Sequence, residues 1–198
     1  MVGNDIVDIA QTKCSTNWER PGFIQKVFTA EEQSYIEAST DKFCTVWRLW
    51  SMKESAYKVF IQVGAHRFFN PTLLQCYINN SSKTGDFKKG KVQIGDMLLR
   101  TSTSLNSKYI FTTASIANSS VLTSIQILEG TTPKQQSNFM HEQLLDAVAR
   151  EKSLNREALC LIKNQNGVPT LVHENTHLKN SVSITHHGSY GAYSFVSD

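Results

Sequence analysis

A charged residue interrupts the apolar face of a helix that the sequence predicts over residues 43–62. The apolar residues of this face are spaced by three and four positions: Phe43, Trp47, Trp50, Tyr57 and Ile61. Glu54 stands at the position that continues the face, and Lys58 follows it by four residues. Burial of an unpaired carboxylate is costly, so Glu54 needs a cation or hydrogen-bond donors. The two residues form either a structural ion pair, in the favourable Glu-before-Lys order, or part of a site.

A second carboxylate lies near the N-terminus, on a strand predicted over residues 2–9. On a strand, Asp5 shares one face with Gly3 and Val7. The glycine leaves room for a ligand to approach the backbone. Asp5 and Glu54 together could hold Mg²⁺, which takes a few carboxylates beside waters and substrate phosphates. The alternative is that Asp5 is a turn or cap acid at the end of its strand.

A histidine continues the apolar face of a strand near the C-terminus. Alternate residues there are Val182, Ile184 and His186 on one face and Ser183, Thr185 and His187 on the other. A histidine in such a place is more often a core residue with its hydrogen bonds satisfied than a ligand group. Gly188 follows, however, and donors that cluster at a turn can bind an anion.

The elements that must position these residues alternate helices with short β-rich segments. Helices are predicted over 21–28, 30–38, 43–62 and 138–152, the second with capping-box spacing between Thr29 and Glu32. Strands near 73–79, 91–99, 108–117 and 121–128 suggest an antiparallel meander. A hairpin at 158–163 and 168–172 turns at Asn166-Gly167, and strands 181–187 and 191–197 close the chain. Residues 130–136 have the composition of a linker between two lobes.

Composition and charge limit the class of protein. The chain has 198 residues, 40% of them hydrophobic, enough for one large domain or two small lobes. Its 20 Lys and Arg against 17 Asp and Glu give a net charge of +3, which suits an acidic partner or a phosphorylated ligand. This charge is too low for a dedicated nucleic-acid binder. Four widely spaced cysteines argue against zinc or a disulfide framework. Without a basic, apolar leader or a long apolar run, we expect a soluble cytoplasmic protein with no membrane partner.

Three motifs together resemble the 4′-phosphopantetheinyl transferase superfamily. That family carries G-x-D on a strand, W-x-x-K-E-[SA]-x-x-K on a helix and [SN]-I-[ST]-H on a later strand. This chain has Gly3-Asn4-Asp5, then Trp50-Ser51-Met52-Lys53-Glu54-Ser55-Ala56-Tyr57-Lys58, then Ser183-Ile184-Thr185-His186. The helix motif is long and specific, and the two strand motifs are short.

The resemblance implies an α+β fold with two similar lobes, each an antiparallel sheet with packed helices. Residues 1–130 would form the metal-binding lobe and residues 131–198 the coenzyme A-binding lobe. In the larger two-lobed members the histidine lobe comes first, whereas the small holo-acyl-carrier-protein synthases place the histidine last. The chain is therefore either a permuted two-lobed enzyme or a small synthase with a long insertion. Two lobes in one chain would make a monomer sufficient.

The activity that the resemblance implies is phosphopantetheine transfer. Mg²⁺ on Asp5 and Glu54 would neutralise the pyrophosphate of coenzyme A. A serine of an apo acyl or peptidyl carrier protein would attack, and 3′,5′-adenosine bisphosphate would leave. Lys58 would stabilise or protonate the leaving group. Either Glu54 or a water on the metal would take the serine proton.

Further contacts to coenzyme A follow from the same resemblance. His186 with Thr185 would bind the 3′-phosphate, and Lys53 is a weaker candidate for a phosphate contact. Val7 and Val168 depart from the family pattern. Many members have a second acidic residue where this chain has Val7, and a lysine where it has Val168. The metal would then have two protein carboxylates, and one phosphate contact would be missing or supplied elsewhere.

Other functions stay open at this stage. A non-catalytic protein that binds coenzyme A or a carrier protein is the main alternative to an enzyme. A basic nucleic-acid binder is disfavoured by the low charge. The lysines at 83, 88, 89 and 91 form either a basic patch that steers an acidic carrier protein or a solvated hairpin loop.

Overall fold

The computed structural model describes residues 1–78, 87–116, 120–128 and 132–197 and is of the α+β class, as predicted. The helices are α1 (Ile9–Ser15), α2 (Phe23–Val27), α3 (Ala30–Glu37), α4 (Lys42–Gln62) and α5 (Pro133–Lys152). The strands are β1 (Val2–Asp8), β2 (Gln75–Ile78), β3 (Phe87–Ile94), β4 (Met97–Leu105), β5 (Tyr109–Ser115), β6 (Val121–Ile127), β7 (Leu159–Lys163), β8 (Pro169–His173), β9 (Thr176–His177), β10 (Val182–His187) and β11 (Tyr190–Val196). Among these described residues, no helix is long and apolar enough to cross a membrane.

The strands form three antiparallel sheets. The first has the order β1-β5-β4-β3-β2, the second β10-β11-β6 and the third β7-β8-β9. The prediction that segment 121–128 continues the first meander is wrong, because β6 pairs with β11 instead. The predicted strand 91–99 is also wrong, because a turn at Gly95 divides it between β3 and β4. The first and second sheets thus separate between β5 and β6, and the division into functional lobes at residue 130 stays a prediction.

Helix α4 forms the centre of the first core. It begins at Asp41, whose carboxylate accepts a hydrogen bond from Cys44 N at 2.9 Å. Its most deeply buried apolar residues are Val46, Leu49, Met52, Ala56 and Val59. The aromatic residues of the predicted apolar face flank this row, and Trp50 and Tyr57 are only partly buried. Glu54 therefore lies at the edge of the core, where a carboxylate remains accessible to a ligand.

A buried ion pair ties α3 to α4. Glu32 completes the predicted capping box with Thr29, and its Oε2 lies 2.8 Å from Lys53 Nζ. Lys53 Nζ also donates to the carbonyl oxygens of Pro71 at 2.7 Å and Leu74 at 2.5 Å. These contacts satisfy all three ammonium protons, which a buried charge requires. They fix α4 against the chain that enters β2.

Helix α5 packs on the second sheet and forms the second core with it. The helix begins earlier than predicted. Thr132 and Gln135 form a capping box, with Pro133 at the first turn, so most of the predicted linker is helix. Its buried residues Met140, Leu144 and Val148 belong to the cluster that contains Tyr193 and Phe195 of β11. The spacing of four residues between them places Met140, Leu144 and Val148 on one side of the helix, which covers the sheet.

Strand β1 lies between α4 and the second sheet. On one side, a Cβ added at Gly3 would lie 2.0 Å from the carbonyl oxygen of Ser55 in α4, so this position excludes any side chain. On the other side, Asn4 is fully buried. Its Oδ1 accepts from Ser183 Oγ at 2.8 Å, and its Nδ2 lies 3.1 Å from Ser194 Oγ. The first explanation of Gly3, as space for a ligand, is replaced by helix packing.

We expect Asn4→Ala to lower the free energy of unfolding by about 1–3 kcal/mol for each partner left unsatisfied, because buried polar groups lose their hydrogen bonds. Urea unfolding measures this. The control is Asn17→Ala, at an exposed position, which should stay within about 0.5 kcal/mol of wild type. Equal losses in both variants would contradict the role given to Asn4.

Candidate active site

A cavity of about 360 Å³ separates α4 from the elements of the second and third sheets. Helix α4 supplies one wall with Glu54, Tyr57, Lys58, Ile61 and Gln62. The opposite wall contains residues of α5, the β7–β8 hairpin and β10. The side chain of Gln62 bridges the walls. Gln62 Nε2 donates to the carbonyl oxygens of Val2 at 2.7 Å and Val182 at 3.2 Å. The two halves of the chain are therefore held together along the cavity.

Asp5 lies in the middle of β1, opposite Thr112 of β5. Its Oδ1 accepts a hydrogen bond from Thr185 Oγ1 at 3.4 Å, whereas its Oδ2 is buried with no hydrogen-bond partner among the described residues. Burial raises the pKa of Asp5, although the nearby Lys58 ammonium lowers it. Asp5 is not the cap residue considered as the alternative, because Asp8 caps α1 by accepting from Gln11 N at 3.0 Å.

Glu54 and Lys58 line the cavity beside Asp5. Burial raises the pKa of Glu54, and the negative charge of Asp5 raises it further. Burial lowers the pKa of Lys58, whereas both carboxylates raise it. Lys58 Nζ donates to Asn4 O at 2.6 Å and is absent from the contact ion pairs of the described residues. Glu54 and Lys58 thus interact electrostatically across the site but do not form the contact ion pair considered from their spacing.

Strand β10 has the alternation that the sequence predicts, with His186 and Ile184 lining the cavity. Burial lowers the pKa of His186, and the positive charge of Lys58 lowers it further. Thr185 is on the other face, where its hydroxyl donates to Asp5 Oδ1 and not to the cavity, so its predicted phosphate contact stays a prediction. His187 Nδ1 accepts from Asp8 N at 2.9 Å and is also structural.

The neighbouring turn is likewise committed to the fold. Ser189 N donates to Asp8 Oδ2 at 2.9 Å, and a Cβ at Gly188 would lie 2.3 Å from the same oxygen. The donors of this turn therefore hold a carboxylate of the protein itself. Lys53 is also outside the cavity, buried in its ion pair with Glu32, so its geometry argues against the predicted phosphate contact.

The structure adds three basic residues that sequence reasoning missed: Arg67 in the loop after α4, His141 on α5 and Lys163 on β7. Burial lowers the pKa of His141, and the positive charge of Lys163 lowers it further. Each comes from a different element, and none belongs to a recognisable motif. The spacing of Ser137 and His141 on one side of α5 was a weak available signal, because both line the cavity.

The charges of the lining favour a polyanionic ligand. It has three cationic side chains (Lys58, Arg67 and Lys163), two histidines and one carboxylate, that of Glu54. Cations converging on a partly enclosed cavity attract phosphates more strongly than they would in open water. The carboxylate of the lining comes from α4. An elongated phosphate ligand would therefore meet Glu54 at one place and cations along the rest of its length.

The pair Asp5 and Glu54 fits a divalent cation. The buried Asp5 Oδ2 has no hydrogen-bond donor among the described residues, and burial opposes ionisation of both carboxyl groups. A hard cation that takes oxygen ligands would relieve both costs. The described residues contain no group of three or more His, Cys, Asp or Glu side chains placed to hold a metal. Waters or phosphate oxygens would therefore have to complete the coordination.

A family model described as the 4′-phosphopantetheinyl transferase superfamily matches residues 1–114. The match confirms the resemblance seen in the motifs and contains Asp5, Glu54 and Lys58. It ends within β5, so α5 and the strands that carry Lys163 and His186 lie beyond it. No curated protein matches the chain.

Mg²⁺ should raise the melting temperature of the protein, because a ligand that binds only the folded state stabilises it. Asp5→Asn should lose most of this increase, and differential scanning fluorimetry measures both. The control is Asp96→Asn, an exposed acid in the β3–β4 turn, which should keep the increase. An unchanged response in Asp5→Asn would contradict the assignment.

The same response should depend on pH. Because the folded pKa of both carboxyl groups is raised, protons bind the folded chain more tightly than the unfolded one, and the metal-free protein loses stability as pH rises. Mg²⁺ competes with those protons. The increase in melting temperature should therefore be largest near pH 8 and shrink as pH falls towards the raised pKa values. A pH-independent increase would contradict this prediction.

Proposed function

Because this chain belongs to the 4′-phosphopantetheinyl transferase superfamily, we propose that it moves the 4′-phosphopantetheine group of coenzyme A to a serine of an apo acyl or peptidyl carrier protein. The observation that carries this proposal is the cavity itself, whose lining is rich in cations and contains Glu54, with Asp5 close enough to raise the pKa of Glu54. We also propose that it acts in the cytoplasm, as a monomer and in the manner of a holo-acyl-carrier-protein synthase.

Coenzyme A would bind along the cavity. Its phosphates need cations and hydrogen-bond donors, which Lys58, Lys163, His141 and His186 provide. His186 is proposed to bind the 3′-phosphate, because it lines the cavity and no side chain of the described residues fills that space. The pantetheine arm is mostly apolar and would lie against Ile61 and neighbouring aliphatic groups.

Asp5 and Glu54 would hold Mg²⁺; the support is that Asp5 Oδ2 has no hydrogen-bond partner among the described residues and that burial raises the pKa of both carboxyl groups. When bound, the ion would neutralise charge on the pyrophosphate oxygens. Thr185 would orient Asp5 through the hydrogen bond to its Oδ1. The position of Asp5 is fixed by β1, because Gly3 packs on α4 and Asn4 on the second sheet.

The chemical step needs one nucleophile from the partner and a proton acceptor and donor from this chain. The serine Oγ bonds to the phosphorus that carries the pantetheine as the bond from that phosphorus to the oxygen of the leaving 3′,5′-adenosine bisphosphate breaks. Glu54 would accept the serine proton. Lys58 would donate a hydrogen bond or its proton to the leaving oxygen, and its lowered pKa favours that donation.

The acceptor serine would enter beside Glu54 from a second, smaller cavity. This cavity of about 50 Å³ shares Glu54 and Tyr57 with the first. Phe69 borders it and is 83% exposed, and Leu73 nearby is 57% exposed. Exposed apolar side chains next to a reacting carboxylate suit the carrier protein, which must cover this surface to deliver its serine.

The predicted lysine patch is a second candidate for carrier contact. Lys88, Lys89 and Lys91 are exposed on β3 itself and not in a loop, while position 83 lies outside the described residues. Their positive charge would speed association with an acidic carrier.

The test is intact-mass spectrometry of apo carrier protein incubated with this protein, coenzyme A and Mg²⁺. We expect a gain of about 340 Da, the mass of one phosphopantetheine group, which EDTA prevents. Glu54→Gln should slow transfer at least about a hundredfold by removing the proton acceptor. Glu37→Gln, at an exposed position of α3, should transfer normally. Coenzyme A binding without any mass gain would favour a non-catalytic binding protein.

His186→Ala should raise the KM for coenzyme A about tenfold and leave kcat nearly unchanged, because it removes a phosphate contact away from the reacting bond. Steady-state kinetics with varied coenzyme A measures both constants. His177→Ala is the matched control, since His177 is exposed on β9 outside the cavity. A KM that His186→Ala leaves unchanged would return His186 to a structural role.

A further inference from the structure

The loop after α4 folds back along the helix. Phe68 N donates to the hydroxyl of Tyr57 at 3.1 Å, and the ring of Phe68 packs edge-on against Tyr57 with centroids 5.4 Å apart. A second edge-on contact joins Phe68 to Phe60 at 5.8 Å. These contacts anchor the loop on the wall of the cavity. The preceding residue, Arg67, therefore extends from a fixed point.

Arg67 reaches across the cavity to the β7–β8 turn. Its Nε donates to the carbonyl oxygen of Asn166 at 2.9 Å. A Cβ added at Gly167 would lie 2.5 Å from Arg67 Nη2, so the guanidinium lies directly against this glycine. Gly167 also has φ +71, a conformation that favours glycine. The absence of a side chain thus serves both the turn and the approach of the arginine.

The turn that receives Arg67 is well braced. Gly167 N donates to Asn164 O at 2.8 Å, and Val168 N donates to Asn164 Oδ1 at 2.9 Å. The side chain of Val168 lines the cavity but is apolar, so it offers a ligand no charge. Arg67 and Lys163, the last residue of β7, are the cations of the lining near this turn.

The charge of Arg67 is not used by the fold. In the described ranges, no carboxylate lies within ion-pair distance of it. Its one hydrogen bond uses Nε and leaves the terminal nitrogens for a ligand. A guanidinium held at one nitrogen, whose terminal nitrogens have no hydrogen bond among the described residues and which lines a cavity with Lys163 and His141, is suited to a phosphate group.

We propose that Arg67 binds a phosphate of coenzyme A in the cavity, between the loop after α4 and the β7–β8 hairpin. This inference rests on the proposed function. The hydrogen bond from Arg67 Nε to Asn166 O positions the guanidinium, and the terminal nitrogens of Arg67 bind the phosphate. The phosphate in turn adds a link between the loop after α4 and the β7–β8 hairpin.

Titration calorimetry of the full chain with coenzyme A, 3′-dephospho-coenzyme A and pantetheine tests this proposal. Arg67→Ala and Arg67→Gln should each weaken coenzyme A binding about tenfold or more, because a charged hydrogen bond to phosphate is lost. Glutamine can still donate to Asn166 O, so it separates charge from attachment to the turn. Pantetheine, without phosphates on its nucleotide end, should bind all variants alike. Arg150→Ala, on the opposite side of α5 from His141, should match wild type.

Comparison of coenzyme A with 3′-dephospho-coenzyme A locates the contact. A loss with coenzyme A alone supports a contact to the 3′-phosphate, and an equal loss with the dephospho form supports a contact to the diphosphate. Adding Val168→Lys to Arg67→Ala should recover part of the affinity, because it places an ammonium in the same part of the cavity.

Two results would overturn the proposal and leave the proposed function intact. One is wild-type affinity for coenzyme A in Arg67→Gln, which would make Arg67 a structural link only. The other is an equal loss for pantetheine and coenzyme A in Arg67→Ala. Failure of the wild-type protein to bind coenzyme A at all would overturn both this inference and the proposed function.

Discussion

The close packing of β1 between α4 and the second sheet is the constraint on which the site depends. Gly3 allows the strand to touch the backbone of α4 at Ser55, and Asn4 joins the same strand to β10 and β11 through buried hydrogen bonds. Asp5 follows directly, so both of its neighbours on the N-terminal side are fixed from opposite directions. A larger residue in place of Gly3, or an apolar residue in place of Asn4, would move the Asp5 carboxylate relative to Glu54. The G-x-D motif is therefore a packing motif that places an acid.

Electrostatics explains why this arrangement needs a partner. Asp5, Glu54 and Lys58 are drawn together in a poorly solvated place, where burial opposes the charged form of each. The positive charge of Lys58 stabilises the ionised form of both carboxyl groups, but its Nζ also donates a hydrogen bond to Asn4 O in the backbone of β1. One carboxylate oxygen is left without a donor among the described residues. Cost of this kind is typical of functional sites, where groups are held ready for a ligand and not for the stability of the free protein.

The sequence correctly predicted those structural features that depend on the spacing of residues close together in the chain. The cap of α3, the extent of α4 and the alternation of β10 all follow from residues within a few positions of one another. It failed where partners are distant. The pairing of β6 with β11 and the reach of Arg67 to Asn166 join segments separated by many tens of residues, and no periodicity encodes such contacts. Lys53 shows the related failure: its motif position beside Glu54 suggested a shared role, yet neighbours on a helix point about 100° apart.

The direction of each side chain on α4 thus divides one motif between two tasks. Lys53 turns inward to Glu32 and fixes the helix on α3 and on the chain entering β2. Glu54 and Lys58, one turn apart, face the cleft. The Lys53–Glu32 ion pair anchors the side of α4 that faces α3. The side that lines the cavity can therefore carry Glu54 and Lys58, which form no contact ion pair among the described residues. The same division holds across the cavity, where Thr185 donates a hydrogen bond to Asp5 and His186 lines the cavity. A reaction that depends on positioning phosphates and little on covalent chemistry is suited to side chains alternately assigned to support and to contact.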